Sequence, residues 1–239
     1  MRFYRPLAPI HAITFDLDDT LYDNGPVIRQ AEHTLRTHIG EHFPKAAAMT
    51  PQDWHSIRRD LIAQTPELSS DMGQLRLLTL KAALQHDVHG DELQRSATDC
   101  FDLFYRARSE LTLSDDVHEA LASLADVVPL VGITNGNVDA DKIGISGYFK
   151  TIYHASLTRP MKPARAMFDE AASELGLSAK RILHVGDNLI KDVYGAINAG
   201  YQTAWYACNR DMTLSLEPVK ALPHVHLDNL SELVSLVKK

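Results

Sequence analysis

The chain has few of the residues that staple, anchor or strongly charge a protein. Among its 239 residues only Cys100 and Cys208 are cysteines, and no CxxC pair occurs. That argues against a disulfide framework or a thiolate zinc site and fits a reducing compartment, so a cytoplasmic protein is expected. No apolar run approaches the roughly 18 residues of a membrane span. The opening Met1-Arg2-Phe3-Tyr4-Arg5-Pro6 lacks the apolar stretch of a signal peptide. Positive charge is in deficit, with 24 Lys and Arg against 31 Asp and Glu and a formal net charge of −7. Such a surface repels nucleic acid and anionic membranes on average, and neither is expected as a partner. A small anionic metabolite stays open if a metal or a few cations reverse the field locally. Internal repeats and low-complexity tracts are also missing. The 12 histidines do not form an HExxH pattern. The pairs His33/His38, His86/His89 and His224/His226 have the wrong spacing, and His184, inside an apolar run, reads as a hydrogen-bonded core residue.

What is present divides the chain into three. Residues 10–16 are a short apolar run ending in a carboxylate, which predicts a buried strand. Residues 22–110 give no convincing strand but show helical periodicity over 26–40, 52–64, 73–86 and 91–108, punctuated by Pro44, Pro51, Pro66 and Gly90. Leu75, Leu78, Leu80 and Leu84 suit the core of a small helical bundle. From residue 112 the pattern alternates. A helix over 115–125 capped by Ser114 leads to a strand at 127–133, and a short strand follows at 151–156. Pro163 opens a helix that Gly176 ends. Strands at 181–185, 202–207 and 224–227 then alternate with helices at 191–199 and 230–238. This is the signature of an α/β fold: a doubly wound, Rossmann-like parallel sheet, here carrying a small all-helical insertion.

In such sheets ligands sit beyond the carboxyl ends of the strands, where four polar elements fall. Asp16-Leu17-Asp18-Asp19-Thr20 follows the first strand. Its two carboxylates, one residue apart, can converge on a small volume, and a hard cation such as Mg2+ would let a carboxylate approach a phosphate dianion. Thr134-Asn135-Gly136 offers a hydroxyl and backbone N–H groups to phosphate oxygens. Lys162 offers an ammonium beside a helix start. Gly186-Asp187 places another metal-binding carboxylate at a strand end, and Asp192 follows in the next helical turn, where it could cap the helix or orient Lys162. Each element alone also has an ordinary reading as a solvated Asp turn, a Thr-Asn-Gly turn, a surface lysine or a helix cap. Four of them in order, each beside a strand end or a helix start, form a pattern.

That pattern resembles the haloacid dehalogenase superfamily of phosphatases, whose four motifs match Asp16-x-Asp18-x-Thr20, Thr134, Lys162 and Gly186-Asp187-x-x-x-x-Asp192. The resemblance implies a catalytic core over 1–22 and 111–239 with a helical cap inserted at 23–110. It implies Asp16 as nucleophile forming an aspartyl-phosphate and Asp18 as acid/base partner. Thr134, Asn135 and Lys162 would hold the phosphate, with Thr20 and Asp192 in support. Mg2+ would be held by Asp16, the Asp18 carbonyl and Asp187. Asp18 separates phosphatase from dehalogenase, because a halide needs no proton on leaving. The segment 133–137, Tyr148-Phe149 and Met161-Lys162-Pro163 is similar to a bacterial branch acting on flavin mononucleotide and on the phosphorylated ribitylamino-uracil of riboflavin synthesis. Nucleotide, phosphoglycolate or sugar-phosphate phosphatase, phosphomutase and non-enzymatic binding protein are the alternatives, and a monomer or homodimer is expected. Arg29, Arg36, Arg58, Arg59, Arg76 and Trp54 could contact the leaving group from the cap, with no one of them preferred.

Overall fold

The computed structural model describes residues 1–237. Its centre is a seven-stranded sheet. In chain order the strands are β1 (Arg2–Phe3), β2 (Ala12–Phe15), β3 (Leu130–Thr134), β4 (Thr151–His154), β5 (Ile182–Gly186), β6 (Gln202–Trp205) and β7 (Val225–His226). Their spatial order is β1-β7-β6-β5-β2-β3-β4, parallel throughout except where β1 pairs antiparallel with β7.

Strand periodicity sends alternate side chains to opposite faces, and both faces are covered. Ile13 and Phe15 of β2, with Leu183 and Val185 of β5, pack on one face with Val117 and Leu121 of helix α6 (Asp115–Ala125). Ala12, Ile182, Val131 and Ile133 pack on the other with Met167, Phe168 and Ala171 of α7 (Ala166–Leu175) and Ala196 of α8 (Gly195–Asn198). The α/β sheet expected from the alternation is the fold observed. A short α9 (Glu232–Val237) closes the described chain, and position 238 of the helix expected over 230–238 lies outside the described residues.

Between β2 and α6 the chain is helical: α1 (Asn24–His42), α2 (Pro44–Ala47), α3 (Pro51–Gln64), α4 (Met72–Leu84) and α5 (Gly90–Arg108). Ala31, Leu35 and Ile39 on α1 and Ala97, Cys100, Phe104 and Ala107 on α5 recur at three- and four-residue spacing. They form single apolar faces that meet Leu80, Ala83 and Leu84 of α4 in a core of their own. Leu75 is buried as well, while Leu78 is only half-buried. Thr50 and Asp53 make a reciprocal capping box at the start of α3.

Four local expectations are corrected. Ser114 does sit at the α6 N-cap, but its side chain makes no capping hydrogen bond. The strand expected from 127 starts only at Leu130, after Pro129. Helix α7 begins at Ala166, not at Pro163, because Met161–Ala164 is spent on a turn in which the Ala164 N–H donates to the Met161 carbonyl at 3.0 Å. The helix expected over 191–199 is a π-helical turn (Leu189–Tyr194) running into α8. Such turns recur near functional sites.

Candidate active site

β2 is the point where the winding reverses, with β3 on one side and β5 on the other. The crevice at such a switch point is where an open α/β sheet binds ligands. Asp16 leaves the end of β2, Thr134 ends β3, and Asp187 follows β5. Lys162 enters from the segment after β4 and is 1% exposed.

Lys162 organises the site. Its Nζ lies 2.6 Å from Asp16 Oδ1, 2.6 Å from the Ile133 carbonyl and 2.7 Å from Asp192 Oδ1, so all three ammonium donors have acceptors. Burial works against its charge, but Asp16 and Asp192 outweigh burial and raise its proton affinity. Burial would also raise the Asp192 carboxyl, yet Lys162 and His184 overcome that and hold it far below the ordinary carboxylate range. Asp192 is thus a fixed anion. Its Oδ2 accepts from the Asn188 N–H at 2.9 Å, while Asn188 itself caps the following turn through the N–H groups of Ile190 and Lys191. Behind it lies His184, as buried as its sequence context implied, at 3.3 Å from Asp192 through Nε2 and 2.8 Å from the Thr14 hydroxyl through Nδ1. Burial depresses the His184 proton affinity, leaving a neutral ring that relays Thr14 to Asp192. Gly186 makes this packing possible, because a Cβ there would lie 2.4 Å from Asp192 Cγ.

Asp16 and Asp187 have the opposite electrostatics. Burial lifts Asp16 well above the ordinary carboxylate range against the pull of Lys162, and Asp192 and Asp187 add to the lift. Burial and Asp192 push Asp187 up to about 6. Ligand oxygens of Asp16, Asp187 and Asp192 lie within 4.8 Å of one another. These are hard donors converging with too little positive charge, a set that fits a divalent cation. Thr20 donates to Asp16 Oδ2 at 3.3 Å.

The Asn135 side chain is committed elsewhere. It donates to the Lys162 carbonyl at 3.0 Å and accepts from the Lys162 N–H at 2.8 Å, clamping the backbone that carries the ammonium. The Asn135 side-chain amide is thus committed to the backbone of Lys162 and not turned to the site. The Thr134 hydroxyl accepts from the Gly136 N–H at 3.0 Å.

Asp18 has partners other than Lys162. Its Oδ1 accepts from the Tyr22 hydroxyl and from Arg108 Nη2, the latter at 2.9 Å. Burial first, then Asp18, raises the Tyr22 phenol well above its usual value, so it stays a donor. Asp18 Oδ2 lies against Gly136, where a Cβ would be 2.3 Å away. Sequence reasoning singled out neither Tyr22 nor Arg108. It also missed Asn137, which meets Arg108 Nη1 at 2.5 Å, and Arg210, whose Nη1 meets Asp187 Oδ2 at 2.9 Å. The only available signal was that Tyr22 and Arg108 fall at the two edges of the helical insertion.

A cavity of about 990 Å³ opens from this centre toward the helices. Asp18, Asn135 and Gly136 form one part of its lining, and Trp54, Arg36, Arg58 and Arg76 another. Arg76 pairs with Glu32 at 2.8 Å and lies 3.5 Å over the Phe104 ring. Arg29 and Arg59 are not among its lining residues. Among the described residues no helix is long and apolar enough to cross a membrane. Cys100 and Cys208 are both free thiols.

Comparison with known proteins agrees with this geometry. The 5-amino-6-(5-phospho-D-ribitylamino)uracil phosphatase YigB of Escherichia coli (strain K12) is 35% identical over 99% of this chain and 100% of its own. The N-acylneuraminate-9-phosphatase of Homo sapiens is 27% identical over 97% of this chain and 95% of its own. A crystal structure of a 2-haloacid dehalogenase from Pseudomonas syringae pv. Tomato DC3000 superposes with a TM-score of 0.89 at 32% identity, covering 96% of this chain and 98% of that one. A sequence profile described as haloacid dehalogenase-like hydrolase matches residues 10–200. With a carboxylate at the end of β2, a buried lysine and an acidic cluster at one switch point, the chain belongs to the haloacid dehalogenase-like hydrolase family of enzymes.

Proposed function

We propose that this chain is a magnesium-dependent phosphomonoesterase working through an aspartyl-phosphate on Asp16. Its substrate on this reading carries phosphate on a ribityl chain, the ribitylamino-uracil phosphate before flavin mononucleotide. The observation that carries the phosphatase reading is Asp18, a second carboxylate with one oxygen held and the other turned to Gly136 beside Thr134. A dehalogenase has no use for such a group. The substrate reading leans on the 35% identity to a ribitylamino-uracil phosphatase along the whole chain. Residues 1–22 and 111–239 are read as the catalytic core and 23–110 as its cap, with a cavity of about 990 Å³ to take a leaving group much larger than phosphate.

On this reading an Asp16 oxygen attacks phosphorus while the bond to the ribityl oxygen breaks, and Asp18 gives that oxygen its proton. Water then attacks phosphorus, Asp18 takes its proton, and Asp16 is freed with release of inorganic phosphate. Asp16 and Asp187, with the Asp18 carbonyl, would hold Mg2+, which supplies charge neutralisation to the phosphoryl group. Lys162, the Thr134 hydroxyl and the backbone N–H of Asn135 balance the remaining charge. Asp192, Asn135 and Thr20 keep Lys162 and Asp16 in place.

The test is phosphate release from a panel of ribitylamino-uracil phosphate, flavin mononucleotide, pyrimidine nucleotides, phosphoglycolate and sugar phosphates. Each is run with Mg2+ and with EDTA, alongside halide release from 2-chloropropionate. Ribityl phosphates should rank first in kcat/KM, and Asp16→Asn should lose about 10³-fold or more. Halide release without phosphate release, or an active Asp16→Asn variant, would overturn the reading.

A further inference from the structure

The sheet core and the helical unit are joined by two chain crossings, and both converge on Asp18. At the first, Tyr22 donates to Asp18 Oδ1, and the Asn24 N–H that opens α1 donates to Asp19 Oδ1 at 3.0 Å. The second crossing is the end of α5. There Arg108, with a side chain only 3% exposed, sends Nη2 to Asp18 Oδ1 at 2.9 Å and to Asn24 Oδ1 at 3.4 Å, and Nη1 to Asn137 Oδ1 at 2.5 Å. Next to it, the Ser109 hydroxyl accepts from the Asp139 N–H at 3.1 Å. One guanidinium therefore touches the loop after β2, the first turn of α1 and the loop after β3.

The fork is directional. It takes Asp18 Oδ1 and leaves Oδ2 free against Gly136, on the side of Thr134. Arg108 also lines the large cavity, and its Nε is buried with no hydrogen-bond partner among the described residues. A buried donor without a partner costs roughly 1–3 kcal/mol. The guanidinium is thus placed by Asp18, Asn24 and Asn137 rather than by its own full satisfaction. Because Arg108 rides on α5, whose Phe104 and Ala107 belong to the helical core, any displacement of that unit pulls the fork from Asp18.

We propose that Arg108 is a positioning residue that couples the seating of the helical unit to proton transfer by Asp18. With the unit seated, Oδ1 is clamped and Oδ2 is presented to the oxygen between phosphorus and carbon. With α5 displaced, the carboxyl swings free and the proton is delivered poorly. The inference rests on the acid/base reading of Asp18, and the experiment separates the two.

The discriminating property is the basicity of the leaving group. Flavin mononucleotide releases a strongly basic alkoxide that needs a proton, whereas p-nitrophenyl phosphate releases a weakly basic phenolate that hardly does. Wild type, Arg108→Met and Asp18→Asn are compared on both esters in saturating Mg2+, with thermal melts to verify folding. Arg108→Met should lower kcat/KM about 10²-fold for flavin mononucleotide and less than about tenfold for p-nitrophenyl phosphate. The loss should fall in kcat, with KM moving by less than about threefold. Asp18→Asn should show the same contrast more strongly. Equal losses on both esters, or a change confined to KM, would make Arg108 a structural or binding residue and overturn the inference. If Asp18→Asn shows no contrast, the acid/base reading itself fails. Should Arg108→Met not fold, Arg108→Lys, which keeps the buried charge without the fork, makes the same comparison.

Discussion

Replacing Lys162 by methionine is the most severe test of how the site is held together. The ammonium lies 2.6 Å from Asp16, 2.7 Å from Asp192 and 2.6 Å from the Ile133 carbonyl, and the two carboxylates are only 9% and 2% exposed. Methionine fills most of the volume but leaves two buried carboxyls with no cation between them. Breaking a buried pair from one side costs about 3–5 kcal/mol, because the remaining charge is uncompensated. For a chain of this size each kcal/mol moves the melting temperature by about 2–4 °C, so a drop of about 6–20 °C is expected. The measurement is calorimetry or urea denaturation in EDTA. Removing a second charge should be easier than removing the first, so Lys162→Met/Asp192→Asn should be more stable than Lys162→Met alone. Added Mg2+ should also narrow the gap to wild type, since a cation near Asp16 replaces part of the lost charge. A Lys162→Met protein within about 1 kcal/mol of wild type, the worth of an exposed ion pair, would refute this account of the buried triad.

Two further predictions concern Asp187 and Asp18. Burial and Asp192 push Asp187 up to about 6 in the metal-free protein, so proton and cation compete for it. Above that pH Asp187 is already ionised and adds nothing further to the pH dependence of Mg2+ affinity, followed by isothermal titration. Below it affinity should fall at least about tenfold per pH unit, Asp16 steepening the fall. Asp187→Ala should bind Mg2+ weakly and lose this break, and an unchanged titration would remove Asp187 from the metal site. Gly136→Ala would place a methyl 2.3 Å from Asp18 Oδ2. Turnover of an alkyl phosphate should fall about 10²-fold as the carboxyl is displaced, with melting nearly unchanged. Wild-type kcat in that variant would show that Asp18 Oδ2 has no fixed place.

The sequence by itself determined what depends on neighbours along the chain. The period-2 and period-3.6 apolar patterns, with Gly and Pro between them, encode the parallel sheet and the four longer helices of the insertion, while the four-residue α2 carries no such pattern. The strand-end positions of Asp16, Thr134 and Asp187 follow from the same local signals. The tertiary structure decided what depends on partners far along the chain. Residues 14 and 184 face each other only because β2 and β5 pair in that register, and only then does His184 become the relay behind Asp192. Asn135 reads as a phosphate ligand until Lys162 arrives and takes up its amide. The two-residue β1 has no signal of its own, because its partner β7 lies at the other end of the chain. Arg108 is one arginine among several in helical segments. Its meaning comes from folding two crossings, 84 residues apart at Asn24 and Arg108, onto a single carboxylate.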